Sequence, residues 1–502
     1  MTQGSSLLFR ARDLGKPIPF TPPSWAAHYL TEESLYKRSH NYLVNPYGVK
    51  EYAGYWWIEI GAPFNIIDQN EDIRDELLRH VLGVWDHIKN RGDHEAENMA
   101  IEWIGFVPGK RESRRLIGDY ILTESDVREG RLFPDRIAYG GWSIDIHTMG
   151  GILAKDKPPD PSKGGTDVWG CELSKVMRWW GCPHVEVYSI PLRCLYSKNI
   201  KNLLMAGRDI SVTHVALGTT RVQLTCAVIG QAAGTTAALC VRRGVTPRTI
   251  ANNPKLLREL QQTLLKDDCF IPDLPNSDPK DLALRASVTA SSSMTLTLEP
   301  IEGGGSLGFH RSQIFPVTED RIETLSLFIE SSLTKEASIR IELMPTRSIW
   351  SFNGDKKLLT SMEALVQPRF RGWINFELGL KVKPKRLYQV NVYGEDGIRW
   401  VRSKPLPGVA SAYKEPSWRR WIHTKSIYAL RLNPPSKPFE PENVISGVAR
   451  PEKWTNIWIS DPNKGFPQSL TIDFGGEVQF NTVYLTFDTY LYEGYHMVPT
   501  PT

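Results

Sequence analysis

The sequence NLLMAGRDISVTHVALGTTRVQLTCAVIGQAAGTTAALCVRRG, from Asn202 to Gly244, decides the fold expected for the first half of this chain. Its apolar run at 203–206 ends at Gly207 and has the pattern of a buried strand in a parallel sheet. A polar, turn-rich segment follows from Arg208 to Thr220. The order of these patterns predicts a strand, a turn and then a helix, so the first half is expected to have an α/β fold.

The helix predicted after this turn has one face with little side-chain bulk. Thr219 or Thr220 would be its N-cap, and it would begin near Arg221. We expect a buried helix that lets another backbone or a flat ligand approach closely, with an N-terminus suited to anionic charge. The small residues that share this face are Cys226, Gly230, Ala233, Gly234 and Ala237.

A basic block lies upstream, in GKRESRRLIGDYILTESD from Gly109 to Asp126. Its arginines are interspersed with acidic residues, and two interpretations remain open. A run of mixed charges is usually a solvated turn held by salt bridges. Alternatively, one arginine, with Arg111 as the candidate, faces an anionic group that its planar guanidinium can contact with two hydrogen bonds.

The segment GWSIDIH, residues 141–147, places Asp145 and His147 two positions apart. Side chains at this spacing lie on one face of an extended segment. A carboxylate beside a histidine raises the basicity of the ring and fixes its orientation, so the pair could transfer a proton. The alternative is a histidine that is hydrogen-bonded for structural reasons only. His214, within the polar turn, is a second candidate base, and its alternative role is capping or packing.

These two segments, together with AGRDISVTHVALGTTRV and GQAAG, resemble the FAD-dependent oxidoreductases of the glutathione-reductase-like flavoprotein group. The resemblance covers roughly the first half of the chain. It implies an FAD cofactor whose isoalloxazine ring lies against the turn from Arg208 to Arg221, beside a helix N-terminus that stabilises the reduced ring. It also implies His147 or His214 as the catalytic base, with Asp145 as a partner. The residues implied to bind the cofactor are Gly207, Arg208, Asp209, Ser211, Gly218, Thr219, Thr220, Arg221 and Arg111.

The resemblance is incomplete at the nucleotide-binding side. Flavoproteins of this group begin with a strand, a G-x-G-x-x-G turn and a helix that holds the FAD pyrophosphate, and no such unit precedes Ser5. A literal match occurs at Gly303, Gly305 and Gly308, but the aromatic and alternating residues after it, with Pro316, predict a hairpin or loop. We therefore expect an incomplete FAD-binding core that lacks its ADP-binding half.

Two helices are predicted in the segment before the basic block. The first covers Asp68–Asn90, with a capping box at Asp68 and Glu71 and an apolar stripe along one face. The second covers Asp93–Trp103. A third helix, further along the chain, is expected to begin near Pro254.

The second half of the chain has the alternating pattern of an all-β sandwich region. Strands are predicted at 293–298, 325–329, 338–343 and 387–392. Its last part resembles a galactose-binding, discoidin-like module that stops before the fold would close, in which Trp454 and Trp458 would stack on a sugar or pack in the core. The expected domains are an oxidoreductase core at 1–273, a β-sandwich at 282–435 and the incomplete module at 440–502.

Composition argues against several classes of partner. The 502 residues carry a net charge of +4, so nothing requires a nucleic acid. The sequence contains no apolar run of about 18 residues, which argues against a membrane span. The first residues lack the apolar region of a signal peptide, so a cytoplasmic location is the default expectation. None of the six cysteines has C-x-x-C spacing, so no metal site is expected.

The function predicted from these observations is an FAD-dependent oxidoreductase that takes a hydride from a small alcohol- or amine-type substrate, with a carbohydrate or glycoside as one option. Two alternatives stay open because the ADP-binding half is missing from the pattern. One is a carbohydrate-binding or scaffold protein whose flavoprotein-like part has lost its cofactor. The other is an inactive fragment of a longer flavoprotein.

Overall fold

The computed structural model describes residues 2–35, 38, 40–44, 48–147, 150–154, 185–354, 356–417 and 420–488. The chain divides into two compact units, Met1–Pro254 and Lys255–Thr502. The end of the expected discoidin-like module, residues 489–502, lies outside the described residues. The fold is mixed α/β, with strands that pair antiparallel in both units.

The described strands of the first unit form three small antiparallel sheets. Their strand orders are β5-β1-β7, β3-β4-β2-β6 and β8-β9. The strands are β1 (Ser5–Ser6), β2 (Phe9–Asp13), β3 (Leu43–Val44), β4 (Lys50–Ala53), β5 (Glu59–Ile60), β6 (Met99–Ile104), β7 (Gly109–Lys110), β8 (Arg136–Gly140) and β9 (Tyr188–Pro191).

Six α-helices occur among the described residues. They are α1 (Asn70–Asn90), α2 (Glu124–Arg128), α3 (His214–Thr220), α4 (Gln223–Arg243), α5 (Pro247–Asn252) and α6 (Pro254–Lys266). Short 3-10 helices cover Glu32–Leu35, Gly151–Leu153, Leu192–Cys194, Leu282–Arg285, Pro441–Ile445 and Pro462–Lys464.

Helix α1 confirms the apolar stripe predicted from its sequence, because Ile73, Leu77, Val81, Trp85 and Ile88 are all buried. The stripe packs on the β3-β4-β2-β6 sheet in one hydrophobic cluster. The expected capping box is wrong. The helix begins after Gln69, which makes no side-chain cap bond. The Asp68 carboxylate instead accepts a bond from Asn65, and Glu71 pairs with Arg74.

The helix predicted over Asp93–Trp103 is also wrong. Residues Met99–Ile104 form strand β6, which pairs antiparallel with β2. Five residues of β6 pair with β2 across a β-bulge at Arg10 and Ala11, and the Met99 side chain enters the same buried cluster as α1. Tertiary pairing therefore overrides the local preference for helix.

The stretch from Asn202 to Gly244 differs from its predicted order. The run at 203–206 forms one isolated antiparallel bridge, between Leu204 and Tyr196, instead of a strand in a parallel sheet. The helical part is divided into α3 and α4. Thr213 caps α3, while α4 begins after Val222, which makes no side-chain cap bond.

Thr219 and Thr220 therefore lie in the last turn of α3 and do not cap a helix. The hydroxyl of Thr219 donates to the carbonyl oxygen of Trp142 and lies 2.9 Å from the hydroxyl oxygen of Tyr188. Because this hydroxyl is engaged in tertiary contacts, it cannot serve a helix terminus. The predicted N-cap role is wrong for this physical reason.

The small residues of helix α4 differ in their exposure. Ala233 is buried, Cys226, Gly230 and Ala237 are half-buried, and Gly234 is exposed. A side chain added at Gly230 or Gly234 would meet no described atom within 4 Å, so the expected burial of this face is confirmed only in part. The buried positions are Thr225, Ile229, Ala232, Ala233, Thr236 and Leu239.

In the part of the chain that the structure describes, α4 is the one helix long and apolar enough to cross a membrane by length and composition. A search for uninterrupted apolar runs does not detect it, because threonines and glutamine interrupt its sequence. Helices in the interior of soluble proteins meet the same criterion, so this finding does not establish a span.

The second unit contains two six-stranded antiparallel sheets and a two-stranded pair, β10-β23. One sheet has the order β11-β18-β13-β16, with β21 on β18 and β22 on β13, and the other has the order β15-β14-β17-β12-β19-β20. The strands are β10 (Ser287–Ala290), β11 (Gly304–Ser306), β12 (His310–Val317), β13 (Arg321–Ser331), β14 (Ala337–Thr346), β15 (Thr360–Val366), β16 (Arg371–Lys381), β17 (Arg386–Tyr393), β18 (Ile398–Ser403), β19 (Ala410–Lys414), β20 (Ile422–Thr424), β21 (Ile427–Tyr428), β22 (Leu430–Asn433) and β23 (Leu470–Asp473).

Side chains from both six-stranded sheets enter one hydrophobic cluster. The predicted strands at 325–329, 338–343 and 387–392 are confirmed within β13, β14 and β17. The strand predicted at 293–298 is wrong, because only Leu298 pairs, in an isolated bridge with Leu430. The glycine-rich match near Gly303 leads from β11 into β12 and not into a helix, which confirms that it is not a dinucleotide-binding turn.

Candidate functional site

A three-stranded sheet in the first unit holds two buried carboxylates next to the start of the chain. The Gln3 N–H donates to Oε2 of Glu112 at 2.8 Å, and the Gly4 N–H donates to Oε1 of Glu59 at 3.0 Å. Glu59 lies in β5 and Glu112 follows β7, the two strands that flank β1. Both residues are almost fully buried, with 1% and 0% exposure. Buried carboxylates need such partners, so they mark a site built around charge.

His147 lies between two carboxylates. Its Nδ1 is 2.6 Å from Oε2 of Glu59, and its Nε2 is 3.3 Å from Oδ2 of Asp145. The predicted contact between Asp145 and His147 is thus confirmed. Burial disfavours the charged ring, but the two carboxylates outweigh it and raise the pKa of His147 above its usual value. With both ring nitrogens donating to carboxylates, the imidazolium is the favoured form.

Two arginines complete this cluster. Arg111 Nη1 lies 3.3 Å from Oε2 of Glu59, and Arg221 forms an ion pair with the Asp145 carboxylate and donates to its backbone oxygen. Burial would raise the pKa of Asp145, but the hydrogen bond from His147 and the charge of Arg221 hold it well below its usual range. Three cationic side chains therefore face two carboxylates, and the surplus is positive.

His214 belongs to a second, similar pair. Its Nδ1 lies 2.8 Å from Oε2 of Glu112. The other carboxylate oxygen of Glu112 is 3.1 Å from Nη2 of Arg115. Burial would raise the pKa of Glu112, but the bonds from His214 and from the Gln3 N–H lower it. No described residue hydrogen-bonds Nε2 of His214, and the side chain is 28% exposed.

The end of α3 packs closely on the segment that carries Asp145. The Asp145 N–H donates to the Gly218 oxygen at 3.2 Å. A Cβ at Gly218 would lie 3.0 Å from the Asp145 oxygen, so a larger residue fits only if the Asp145 backbone moves by a few tenths of an ångström. Gly218 and Thr219, expected to bind cofactor directly, thus also hold the acidic segment in place.

The segment downstream of the basic block runs beside the polar turn. The Leu116 N–H donates to the Asp209 oxygen at 2.9 Å, and the Leu122 N–H donates to the Ser211 oxygen at 3.0 Å. A cleft of about 360 Å³ lies between these two segments. Its lining residues are Ser113, Arg115, Leu116, Ile117, Ile121, Ser211, Val212 and Thr213. A volume of this size is near the lower end of the range for small-ligand pockets.

Several buried polar atoms in the turn have no hydrogen-bond partner among the described residues. These atoms are Asp209 Oδ1, Ser211 Oγ, Thr220 Oγ1 and Arg221 Nε. Buried polar groups are nearly always hydrogen-bonded, so a cluster of unpartnered ones is typical of a surface that receives a ligand or water. Gly207 adopts a φ of 102° at the start of the turn, and Arg208 is exposed. Neither belongs to the charged cluster.

The basic block therefore divides between the two interpretations left open by its sequence. Arg114 is exposed, with Asp68 3.9 Å away, as expected for a solvated turn. Arg111 and Arg115 instead reach the buried carboxylates of Glu59 and Glu112. The sequence prediction missed both of these carboxylates. A glutamate between two isoleucines in the strand-like segment WIEIG was the available signal for Glu59, because such a position is normally apolar.

A family model described as FAD dependent oxidoreductase matches residues 2–264, which is more than half of the 502-residue chain. No curated protein matches the chain. The matched region contains both carboxylate–histidine pairs and the cleft beside them.

Proposed function

Because the chain belongs to the family of FAD-dependent oxidoreductases and its cofactor is therefore FAD, we propose that it oxidises an alcohol- or amine-type substrate with His214 as the proton acceptor. Bound FAD supplies the acceptor for the hydride. The protein's part is to bind and orient the two reactants and to remove a proton from the substrate oxygen or nitrogen.

We assign the base from one difference between the two histidines, namely the partners of their ring nitrogens. A general base needs a nitrogen lone pair that faces the substrate. In His214, the carboxylate of Glu112 accepts from Nδ1, which leaves the lone pair on Nε2. In His147, burial disfavours the charged ring, but carboxylates at both nitrogens outweigh it and raise the pKa, so neither nitrogen presents a lone pair to a substrate.

His147 would then act as a fixed positive charge together with Arg111 and Arg221. A reduced flavin or an anionic substrate group carries negative charge, and fixed cations in a water-poor site stabilise it without reorganisation. Asp145 and Glu59 hold these cations in position. In this proposal Asp145 is a positioning residue.

The residues of the polar turn fit the cofactor that the family implies. The unpartnered atoms of Asp209, Ser211, Thr220 and Arg221 would hold its polar groups. Helix α4, whose first turn receives no side-chain cap, adds backbone N–H groups that attract negative charge. Gly207, Arg208, Gly218, Thr219 and Arg111 complete the proposed binding set.

For the second unit, we propose that the two six-stranded sheets form a β-sandwich followed by a discoidin-like module. The shared hydrophobic cluster supports the sandwich. A carbohydrate or glycoside substrate remains part of the proposal. Sugar stacking on the two tryptophans is not favoured, because the indole N–H of Trp454 donates to Asn443 and that of Trp458 donates to the Ser292 oxygen.

The test is a reduction experiment on the purified protein with FAD. Alcohols, amines and glycosides are added one at a time without oxygen, and loss of the blue absorbance of the flavin is followed. We expect at least one compound to bleach the flavin, and His214→Gln to slow bleaching much more than flavin binding. If dithionite bleaches the flavin but no alcohol, amine or glycoside does, the substrate class is wrong. If His147→Gln abolishes bleaching while His214→Gln does not, the base is misassigned.

A further inference from the structure

Four potential metal ligands meet near the C-terminal end of α1, outside the site described above. Oε1 of Glu32 lies 3.1 Å from Nε2 of His40, 3.1 Å from Nε2 of His87 and 3.5 Å from Nε2 of His94. All four ligand atoms lie within 4.8 Å of one another. We propose that this cluster binds one Zn²⁺ ion.

The distances match a tetrahedral site. Zinc ligands lie about 2.0–2.1 Å from the ion, which places neighbouring ligand atoms about 3.3–3.4 Å apart. The three distances from Glu32 Oε1 fall on either side of this value. The three rings surround one point, with centroids 4.9, 5.0 and 5.1 Å apart. Because all four ligand atoms lie within 4.8 Å of one another, no pair must approach by more than about 1.4 Å to reach this spacing.

Hydrogen bonds behind the rings fix which nitrogen faces the cluster. Nδ1 of His40 lies 2.7 Å from the Arg38 oxygen, and Nδ1 of His87 lies 2.7 Å from the Tyr29 oxygen. A backbone carbonyl can only accept, so each Nδ1 carries the hydrogen and each neutral ring presents a lone pair at Nε2. This arrangement, in which the outer nitrogen donates to a carbonyl, is typical of metal-bound histidine.

The inner atoms need a cation between them. Lone pairs of two rings and a carboxylate oxygen converge on the same point, and without positive charge they repel one another. Nε2 of His94 is buried and has no hydrogen-bond partner among the described residues. The Asp93 carboxylate adds further negative charge, with its Oδ1 3.4 Å from Nε2 of His94. A single divalent ion satisfies the four atoms at once.

The ligand set and its burial indicate the kind of site. Three imidazoles and one carboxylate suit Zn²⁺, while Mg²⁺ and Ca²⁺ prefer oxygen ligands alone. The side chains of His40, His87 and His94 are 6%, 0% and 11% exposed, and Glu32 is 52% exposed. Four protein ligands leave no open position, so the site is structural and not catalytic. The ion would join the 3-10 helix at Glu32–Leu35 to the last turn of α1 and to the two loops that carry the other ligands.

The sequence expectation of no metal relied on cysteine spacing, and this cluster contains no cysteine. His87 and His94 are seven residues apart, with His40 far upstream. This spacing matches no short zinc motif, so only the fold brings the ligands together.

The test uses full-length protein without a histidine tag. After chelation and dialysis, Zn²⁺ is titrated by calorimetry, and Co²⁺ is added separately as a spectroscopic probe. We expect one ion per chain, an intense visible Co²⁺ band of the tetrahedral type, and a rise in Tm of about 5 °C at a hundredfold excess over Kd. Glu32→Gln and His87→Gln should each lower the affinity for Zn²⁺ at least about 10-fold.

The matched control is His80→Gln. His80 lies on the same helix and is buried like the ligands, but its ring bonds Tyr29 and Glu76. This variant should bind Zn²⁺ as the unmodified protein does. Glu32→Gln changes a half-exposed side chain, so it tests the site even if His87→Gln does not fold. A protein that takes up no stoichiometric Zn²⁺, a weak Co²⁺ band of the octahedral type, or an equal loss of affinity in His80→Gln would each overturn the proposal.

Discussion

Nδ1 of His214 lies 2.8 Å from Oε2 of Glu112, a carboxylate with no exposed surface. The two residues are far apart in sequence: Glu112 follows β7, which pairs with β1, and His214 is the first residue of α3. A buried carboxylate on Nδ1 fixes both the tautomer and the orientation of the ring. It follows that Nε2 is the atom available to a substrate.

This relationship predicts the effect of Glu112→Gln. The amide keeps the volume of the carboxylate, but it cannot stabilise a positive charge on His214. We expect kcat, measured by flavin reduction with the best substrate, to fall about 100-fold, with a smaller change in KM. The exposed Glu129→Gln serves as the control, and a change confined to KM would contradict the positioning role of Glu112.

The sequence could predict contacts in this site between residues that are close along the chain, but not contacts between distant residues. Asp145 and His147 were predicted as a pair because extended geometry alone places residues two apart on one face. Glu59 and Glu112 were missed, since their proximity depends on which strands flank β1. The division between α3 and α4 was also missed, because the Thr219 hydroxyl serves Trp142 and Tyr188, which lie in distant segments.

The second prediction concerns pH and the cluster around His147. Its pKa is raised in the folded protein above the usual value of 6.5. The stabilisation from the charged ring is therefore complete below the unfolded pKa, and it is lost as the pH rises through the higher folded pKa. Compared with His147→Gln, the unmodified protein should be more stable by about 1–3 kcal/mol at about pH 6. This advantage should decrease as the pH rises.

Urea unfolding of both proteins at a series of pH values measures this difference. Asp145 acts in the opposite direction: its folded pKa is depressed, so its contribution is present above the unfolded value of 3.8 and is lost as the pH falls below it. The exposed His28→Gln is the control. A difference between the unmodified protein and His147→Gln that does not vary with pH would show that the ring is not charged by its two carboxylates.

The third prediction compares two glycines in neighbouring helices. At Gly218, a Cβ would lie 3.0 Å from the Asp145 oxygen and 3.2 Å from its nitrogen, and backbone atoms cannot move aside cheaply. Gly218→Ala should therefore lower the free energy of unfolding by about 1–3 kcal/mol. A Cβ added at Gly234 would have no described atom within 4 Å. Gly234→Ala should therefore raise the free energy of unfolding by up to about 1 kcal/mol, because alanine favours helix. Chemical denaturation of the two variants measures both effects.

Equal effects from the two substitutions would mean that α3 does not pack closely on the Asp145 segment. Gly218→Ala should also weaken FAD binding, since it displaces the turn that carries the proposed cofactor ligands. Gly234→Ala should leave FAD binding unchanged.

The last prediction distinguishes a serine hydroxyl proposed to bind the cofactor from one that stabilises the folded protein. Ser211 Oγ is buried without a hydrogen-bond partner among the described residues, whereas the buried Ser189 Oγ accepts from the Phe133 N–H at 3.0 Å and donates to the Arg131 oxygen at 2.8 Å. In the FAD-free protein, Ser189→Ala should lower the free energy of unfolding by about 1–3 kcal/mol, because it leaves the buried Phe133 N–H without its partner. Ser211→Ala should leave the free energy of unfolding of the FAD-free protein almost unchanged.

In FAD titrations, Ser211→Ala should have the larger effect of the two substitutions. Ser211→Ala should weaken FAD binding about 10-fold, the loss expected for one hydrogen bond of about 1.4 kcal/mol to a ligand, while Ser189→Ala should leave the Kd unchanged. Intrinsic protein fluorescence, quenched by bound FAD, measures both constants. If Ser211→Ala instead destabilises the FAD-free protein and leaves the Kd unchanged, its hydroxyl serves the fold. The cofactor would then have to be held by the other unpartnered atoms of the turn, on Asp209, Thr220 and Arg221.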